Sequence, residues 1–176
     1  MANLLVTGGA GFIGANFVRH HAKHQSQDTL VVLDVLTYAG NLGSIQDIVD
    51  DRRVIFVRAD IGDEDRVHDL LVKHDIDTLV HFAAESHVDR SIVGPDAFIE
   101  TNIVGTHSLL KAARRAWLGE RRRAGHKFHH VSTDEVFGTL SPTDPPFSET
   151  TAYAPNSPYA ASKAGSDLLV RAYQHT

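Results

Sequence analysis

Apolar residues recur along the chain in two alternating patterns. Short apolar runs occur at Asn3-Leu4-Leu5-Val6-Thr7, Thr29 to Asp34, Val54 to Val57 and Thr78 to Phe82, and Lys127 to Ser132 reads as a fifth strand. Continuous rather than alternating hydrophobicity predicts strands buried on both faces. Between them lie segments of helical spacing: Phe12 to Lys23, Glu64 to His74 with Val67, Leu70 and Leu71 on one face, Ala97 to Ala116, and a last helix from near Pro158 to the end. Strands alternating with helices predict βαβ units. A right-handed crossover at each unit then gives an α/β fold, a doubly wound parallel sheet with helices on both faces. No internal repeat interrupts the pattern. Residues 139 to 158 form the one long irregular stretch, punctuated by Pro142, Pro145, Pro146, Pro155 and Pro158. Loops of that length are functional or disordered.

The 176 residues suffice for one domain with a core, and 42% hydrophobic with 22% charged residues is ordinary for a globular chain. No apolar run approaches the ~20 residues of a membrane helix, and no basic segment precedes the first strand, so neither a membrane partner nor a secretory signal is expected. The absence of cysteine rules out disulfides and thiolate metal sites and agrees with a cytoplasmic location. A net charge of -5 argues against a nucleic-acid partner. The one basic cluster, Arg114, Arg115, Arg121, Arg122, Arg123 and Lys127, reads as a solvated helix end. His20, His21 and His24 read as a solvated helix face without the pattern of a zinc site, and no metal is expected.

Thr7-Gly8-Gly9-Ala10-Gly11-Phe12-Ile13-Gly14 joins the first strand to the first helix. It satisfies G-x-G-x-x-G through Gly9, Gly11 and Gly14, and G-x-x-G-x-x-G through Gly8, Gly11 and Gly14. In either register glycine permits the turn, lets backbone N–H groups approach a pyrophosphate and leaves the helix N-terminus to hold it. Asp34 ends the second strand, 20 residues after Gly14, where a carboxylate accepts the ribose hydroxyls and repels a 2′-phosphate. The fold is therefore expected to be Rossmann-type and the cofactor NAD. Asp60-Ile61, after the third strand, either reaches the adenine edge or starts the next helix. Ala83 and Ala84 follow the fourth strand, where small residues let the backbone pass close to a cofactor.

Tyr159-Ala160-Ala161-Ser162-Lys163 places a tyrosine and a lysine on one helix face. A free tyrosine, with a pKa near 10, is a poor base at neutral pH. Lowering that by about 3 pH units takes about 4 kcal/mol of differential stabilisation. A lysine ammonium and an oxidised nicotinamide could supply it, making Tyr159 a general base toward a sugar hydroxyl.

These segments, with Leu36 to Asn41, Ala83 to Ser91, Thr101 to Thr106 and Ser132-Thr133-Asp134-Glu135-Val136-Phe137-Gly138, resemble the extended short-chain dehydrogenase/reductase family. Within it they are most similar to the 4,6-dehydratases of nucleotide sugars such as dTDP-glucose. The resemblance runs in order along nearly the whole chain. It implies oxidation at C4 of the glucose, loss of water across C5 and C6, and return of hydride to C6. Tyr159 would remove the O4 proton, Thr133 orient O4, Glu135 take the C5 proton and Asp134 protonate the departing C6 hydroxyl, helped to hold its own proton by a neighbouring carboxylate and partial burial. Lys163 would serve both cofactor and phenol. Ser86 and His87 would face the nucleotide-sugar substrate. Asp89 and Arg90 read equally as an ion pair, and Asn102 first as a structural hydrogen-bonder.

Family members continue well beyond the position of Thr176, with a smaller domain that grips the nucleotide sugar. Residues 1–176 are thus expected to form the NAD-binding domain, with the substrate domain absent from this chain, low activity alone and a homodimer at full length. A nucleotide-sugar 4-epimerase or decarboxylase would share the glycine turn and the Tyr/Lys pair without needing Asp134 and Glu135. A non-catalytic NAD-binding module would need neither Tyr159 nor Glu135.

Overall fold

A computed structural model of the protein describes residues 2–50, 52–120 and 125–176. The chain divides into two compact units, Met1–Ala83 with Ser108–Val131, and Ala84–His107 with Ser132–Thr176. The strands are β1 (Asn3–Thr7), β2 (Thr29–Asp34), β3 (Val54–Arg58), β4 (Thr78–His81) and β5 (Lys127–His130). The helices are α1 (Phe12–His24), α2 (Glu64–Lys73), α3 (Val88–Val93), α4 (Asp96–Phe98), α5 (Thr106–Arg114) and α6 (Pro158–His175).

The first unit carries the sheet. Its strands are all parallel, in the order β3-β2-β1-β4-β5. The order reverses at β1, which pairs Leu4 with Leu30 on one side and with Thr78 on the other. Both faces are apolar, as the unbroken runs require. Leu4, Val6, Leu30, Val32, Val54 and Val80 pack on Ala15, Val18 and Ala22 of α1. Leu5, Val31, Leu33 and Leu79 face the other way, onto Val67, Leu70 and Leu71 of α2, Leu109, Ala112 and Ala113 of α5, and Trp117. Each such aliphatic side chain contributes about 1.5–3 kcal/mol on burial. The Trp117 indole N–H donates to the Ile76 carbonyl at 2.8 Å and stacks on His126 at 4.9 Å. This is the doubly wound Rossmann-type sheet expected from the sequence.

Local chemistry sets the element ends. Asp63 caps α2, accepting from Arg66 N at 3.0 Å, and Glu64 and Asp65 in the first turn complement its dipole. Ser157 caps α6, accepting from Ala160 N at 3.1 Å, with Pro158 in the first turn. Of the basic cluster, Arg115 pairs with Asp65 at 3.0 Å and Lys127 is exposed on β5, while Arg121, Arg122 and Arg123 lie outside the described residues. His20 and His24 are exposed and stacked at 4.2 Å, and His21 meets Asp28 at 3.0 Å.

Two elements depart from those expected. The helix expected over Ala97 to Ala116 is a composite, in which α4 and α5 flank a π-helical stretch, Ile99–Gly105, and a second follows at Arg115–Glu120. Asn102, buried inside the first stretch, bonds to Glu85 and Ser162 outside its own helix. β5 ends at His130, two residues short of the expected Ser132, and a 3-10 turn follows at Asp134–Phe137.

Asp50 organises the turn before β3. One of its oxygens accepts from Arg52, Arg53 and Val54 N at 3.0, 2.7 and 2.8 Å. These bonds, the one to Val54 first, hold its carboxyl below the usual carboxylate range. A carboxyl depressed in the folded state stabilises fully above its unfolded value, near 4, and loses that contribution as pH falls through the folded value. Denaturant titrations should show the unfolding midpoint dropping as pH is lowered below about 4. Asp50→Ala should lower the neutral-pH midpoint and flatten that acid limb. An unchanged limb would assign the acid sensitivity elsewhere.

The second unit is built on α6 and a long ordered loop. Phe137 packs against Phe147 and Tyr153, with ring centroids 5.3 and 5.4 Å apart. Ala154 N donates to Val136 O at 3.0 Å. Gly138 sits at φ +99, where an added Cβ would lie 2.7 Å from Ala154 O. The proline-rich stretch is therefore pinned at both ends.

Candidate active site

The site residues fall into two groups, one in each unit. In the first unit Gly8 has φ +67, and a Cβ there would lie 2.5 Å from Ala83 N. Ala83 N in turn approaches Thr7 Oγ1 at 3.4 Å, so the backbone after β4 passes directly against the glycine turn, as expected. Gly14 sits where a Cβ would meet Gly8 O at 2.2 Å, which presses α1 onto the turn. Gly11 caps α1 without a side chain to satisfy the first-turn amides. Phe12 and Ile13, at the head of that helix, are 86% and 63% exposed. An uncapped helix start behind a cradle that any Cβ would fill fits a pyrophosphate.

Asp34, 7% exposed, already has work in the protein. Its two oxygens accept from Ala10 N at 3.0 Å and Leu36 N at 2.8 Å. Leu36 is held at φ 58, and Asn41 N returns to Ala10 O at 2.9 Å. The carboxylate thus clamps the glycine turn to the loop after β2 and keeps further lone pairs for ribose hydroxyls. Of the Asp60-Ile61 pair, Asp60 Oδ1 accepts from Gly62 N at 2.7 Å and shapes the turn before α2, whose cap is Asp63. Ile61 is buried at 5% in the core beneath α2, so its side chain is spent on packing.

In the second unit Tyr159 and Lys163 are both buried, 8% and 4% exposed. Thr133 hydrogen-bonds the Tyr159 phenol, and its Oγ1 accepts from Glu135 N at 3.3 Å as cap of the 3-10 turn. Glu135 and Asp134 are close enough for their charge to act on the phenol. The structure therefore brings Thr133, Asp134, Glu135 and Tyr159 together. It corrects the expected electrostatics. Burial above all pushes the Tyr159 phenol up. The Thr133 bond pulls it down, and Glu135, Asp134 and Asp167 push it further up. Burial likewise pushes the Lys163 ammonium down, opposed by Asp167. Asp134 is exposed rather than partly buried, because Val136, at 1% exposure, takes the inward position of the short turn.

The neighbouring loop is fixed by one side chain. Asn102, 1% exposed, accepts from Glu85 N and donates to Glu85 O and to Ser162 Oγ, each at 2.9 Å. This is the structural role expected, and it holds Ala84 to His87 against α6. Ser86 and His87 are exposed beyond that clamp, as are Asp89 and Arg90 on α3. Ser132, Tyr153 and Asp167 were not anticipated. Asp167 Oδ2 accepts from Ser132 Oγ at 2.5 Å and Tyr153 OH at 3.0 Å.

Comparison with known proteins decides the family. The family model described as GDP-mannose 4,6 dehydratase matches residues 5–176. The chain belongs to the GDP-mannose 4,6 dehydratase family. Within this dehydratase family, the dTDP-glucose 4,6-dehydratase of Salmonella typhimurium is 55% identical over 98% of the chain and 50% of its own length. The structure of DesIV, the dTDP-glucose 4,6-dehydratase of Streptomyces venezuelae, solved with NAD, superposes with TM-score 0.89 at 48% identity over 99% of the chain and 52% of that protein. A UDP-Glc/GlcNAc 4-epimerase of Campylobacter jejuni superposes with TM-score 0.85 at 30% identity over 99% of the chain and 50% of its own. The chain spans about half the length of the curated relatives it matches. The resemblance carried by the motifs thus holds across the whole chain. No helix among the described residues is long and apolar enough to cross a membrane.

Proposed function

We propose that the chain is the NAD-binding half of a nucleotide-sugar 4,6-dehydratase that converts dTDP-glucose to its 4-keto-6-deoxy derivative. The observation that carries this reading is the Thr133-Asp134-Glu135 turn gathered at the Tyr159 phenol. A 4-epimerase or decarboxylase has no use for an acid and a base addressing neighbouring carbons.

Gly8, Gly11, Gly14 and the first-turn amides at Phe12 and Ile13 hold the NAD pyrophosphate. Asp34 takes the ribose hydroxyls, and Ala83 and Ala84 leave room for the nicotinamide half. Bound NAD supplies a hydride acceptor that later returns the hydride, and a positive charge that favours the Tyr159 phenolate against the effect of burial. Tyr159 takes the proton of the C4 hydroxyl, and Thr133, already bonded to the phenol, orients that oxygen. The C4 ketone acidifies the C5 proton, which Glu135 removes. Asp134 protonates the C6 hydroxyl, which leaves as water, and its exposure gives it ready access to a proton. Lys163, four residues along the same face of α6, supplies a cation to the site, and Ser86 and His87 contact the sugar.

Two further readings go with this one. Copies pair through Ala97 to Ala116 and the helix from Pro158 onward, which the exposure of Val104 (45%) and Leu168 (58%) supports. The absence of cysteine supports a reducing compartment, the cytoplasm.

Calorimetric titration of the chain should show NAD bound at least about tenfold more tightly than NADP, a difference of about 1.4 kcal/mol from the Asp34 charge. Incubation of the full-length protein with dTDP-glucose followed by strong base should develop the absorbance of a 4-keto-6-deoxy sugar. Equal affinity for NADP would remove the assigned role of Asp34. Formation of the C4 epimer with no keto product would remove dehydration.

A further inference from the structure

On α6 the positions Tyr159, Lys163 and Asp167 follow at intervals of four and share one helix face. The first two belong to the chemistry already derived. The third is one turn beyond, and nothing in that chemistry uses it. We infer that Asp167 is a positioning residue of this site, which keeps buried Lys163 as an ammonium ion and ties the Thr133-Asp134-Glu135 turn and the proline-rich loop to the catalytic helix.

The geometry is specific. A single oxygen, Asp167 Oδ2, accepts from Ser132 Oγ at 2.5 Å and from Tyr153 OH at 3.0 Å. Ser132 is the residue before the Thr133-Asp134-Glu135 turn, so its hydroxyl anchors that turn at its first peptide. Tyr153 belongs to the loop that packs on Phe137, at the other end of the same turn. One carboxylate thus holds the turn from before and, through the loop, from behind. Its charge does the second task. Lys163 is only 4% exposed, and burial favours the neutral amine, while Asp167 favours the ammonium. A neutral lysine would give the Tyr159 phenolate no electrostatic help. The other charged groups facing this cluster are Asp134 and Glu135, from the turn toward Tyr159, and Arg171, one helical turn further, toward Tyr153. Asp134 and Glu135 are the groups the turn must place over the sugar, so they are not free to serve as the fixed counter-ion of Lys163.

Asp167 also pushes the Tyr159 phenol up, so its direct effect on the base opposes its effect through Lys163. Turnover alone cannot separate the two, and the lysine must be read directly. The inference takes its catalytic meaning from the proposed dehydratase reaction, but its test does not need that reaction. In the 176-residue chain, reductive ¹³C-methylation makes each lysine visible by NMR, and Lys163→Arg identifies its signal. Asp167→Asn should move the Lys163 titration down by about one pH unit or more. Asp167→Glu should restore it, as a charge effect and not a packing effect demands. Ser132→Ala and Tyr153→Phe remove one hydrogen bond each and keep the carboxylate. They should leave the Lys163 titration in place while increasing amide exchange across residues 133–138. An unmoved Lys163 titration in Asp167→Asn, or one that Asp167→Glu fails to restore, overturns the inference. Unchanged exchange in both hydroxyl variants overturns the tethering half. Failure of the chain to bind NAD would instead strike the proposed function and leave these titrations standing.

Discussion

If the proposed reaction holds, Tyr159→Phe in the full-length protein should lower the rate of C4 oxidation by about 10²–10⁴-fold, the range that a positioned proton acceptor contributes, and leave NAD affinity nearly unchanged. The ring keeps its place, because its edge packs on Phe98 at a centroid distance of 6.3 Å and only the hydroxyl is lost. Thr133 loses its bond to the phenol, but it still caps the turn that holds Asp134 and Glu135. Glu135→Gln should behave differently. Reduction of bound NAD by dTDP-glucose should proceed, and the reduced cofactor should accumulate because elimination is blocked. Rapid-mixing absorbance of the reduced nicotinamide reads both variants in one experiment. Equal loss at the same step in both would mean that the phenol and the carboxylate do not have separate tasks.

Gly14→Ala should damage the other half of the site. The added methyl would lie 2.2 Å from Gly8 O and 2.9 Å from Gly8 C and Gly9 Cα. All three are backbone atoms, so no side chain can swing aside. Either α1 lifts from the turn or the turn opens, and overpacking of this kind costs about 1–3 kcal/mol. The displaced amides are those proposed for the pyrophosphate, so NAD affinity should fall by about two orders of magnitude, equivalent to about 2.8 kcal/mol. Gly119→Ala is the control, since a Cβ there meets nothing within 4 Å. Chemical denaturation and calorimetric NAD titration measure the two effects. A Gly14→Ala protein that binds NAD normally would show that the close packing of α1 is not what shapes the cradle.

The elements most legible in the sequence are those whose environment is uniform. β1 and β2 are buried along almost their whole length, so their middle residues are apolar and the runs mark these strands, while β3 at the sheet edge is buried only at Val54 yet keeps an apolar run. The glycine turn and Asp34 are legible because backbone geometry restricts what can stand there. Less legible are features that depend on distant parts of the chain. The bonds from Asn102 to Glu85 and Ser162, inside the π-helical stretch, join residues 17 and 60 positions apart, which no local periodicity encodes. Asp60 reads alike as a ligand and as a turn residue, and its 2.7 Å bond to Gly62 N shows the second without bearing on the first. The upward push on the Tyr159 phenol could not be read from its spacing to Lys163, since it comes first from burial. Asp167 belongs to none of the motifs of the sequence. Its spacing of four from Lys163 was the available signal, and it gains meaning only once Ser132 and Tyr153 converge on it.

The lone indole of the chain, Trp117, sits wholly within the sheet-bearing unit, bonded to the Ile76 carbonyl behind α2. Tyr153, Tyr159 and Tyr173 all belong to the other unit. Light absorbed selectively by tryptophan therefore reports on the nucleotide-cradling body alone, with no label attached. The phenolic channel carries three of the four tyrosines from the second unit, with Tyr38 from the first, and so weights the second unit instead.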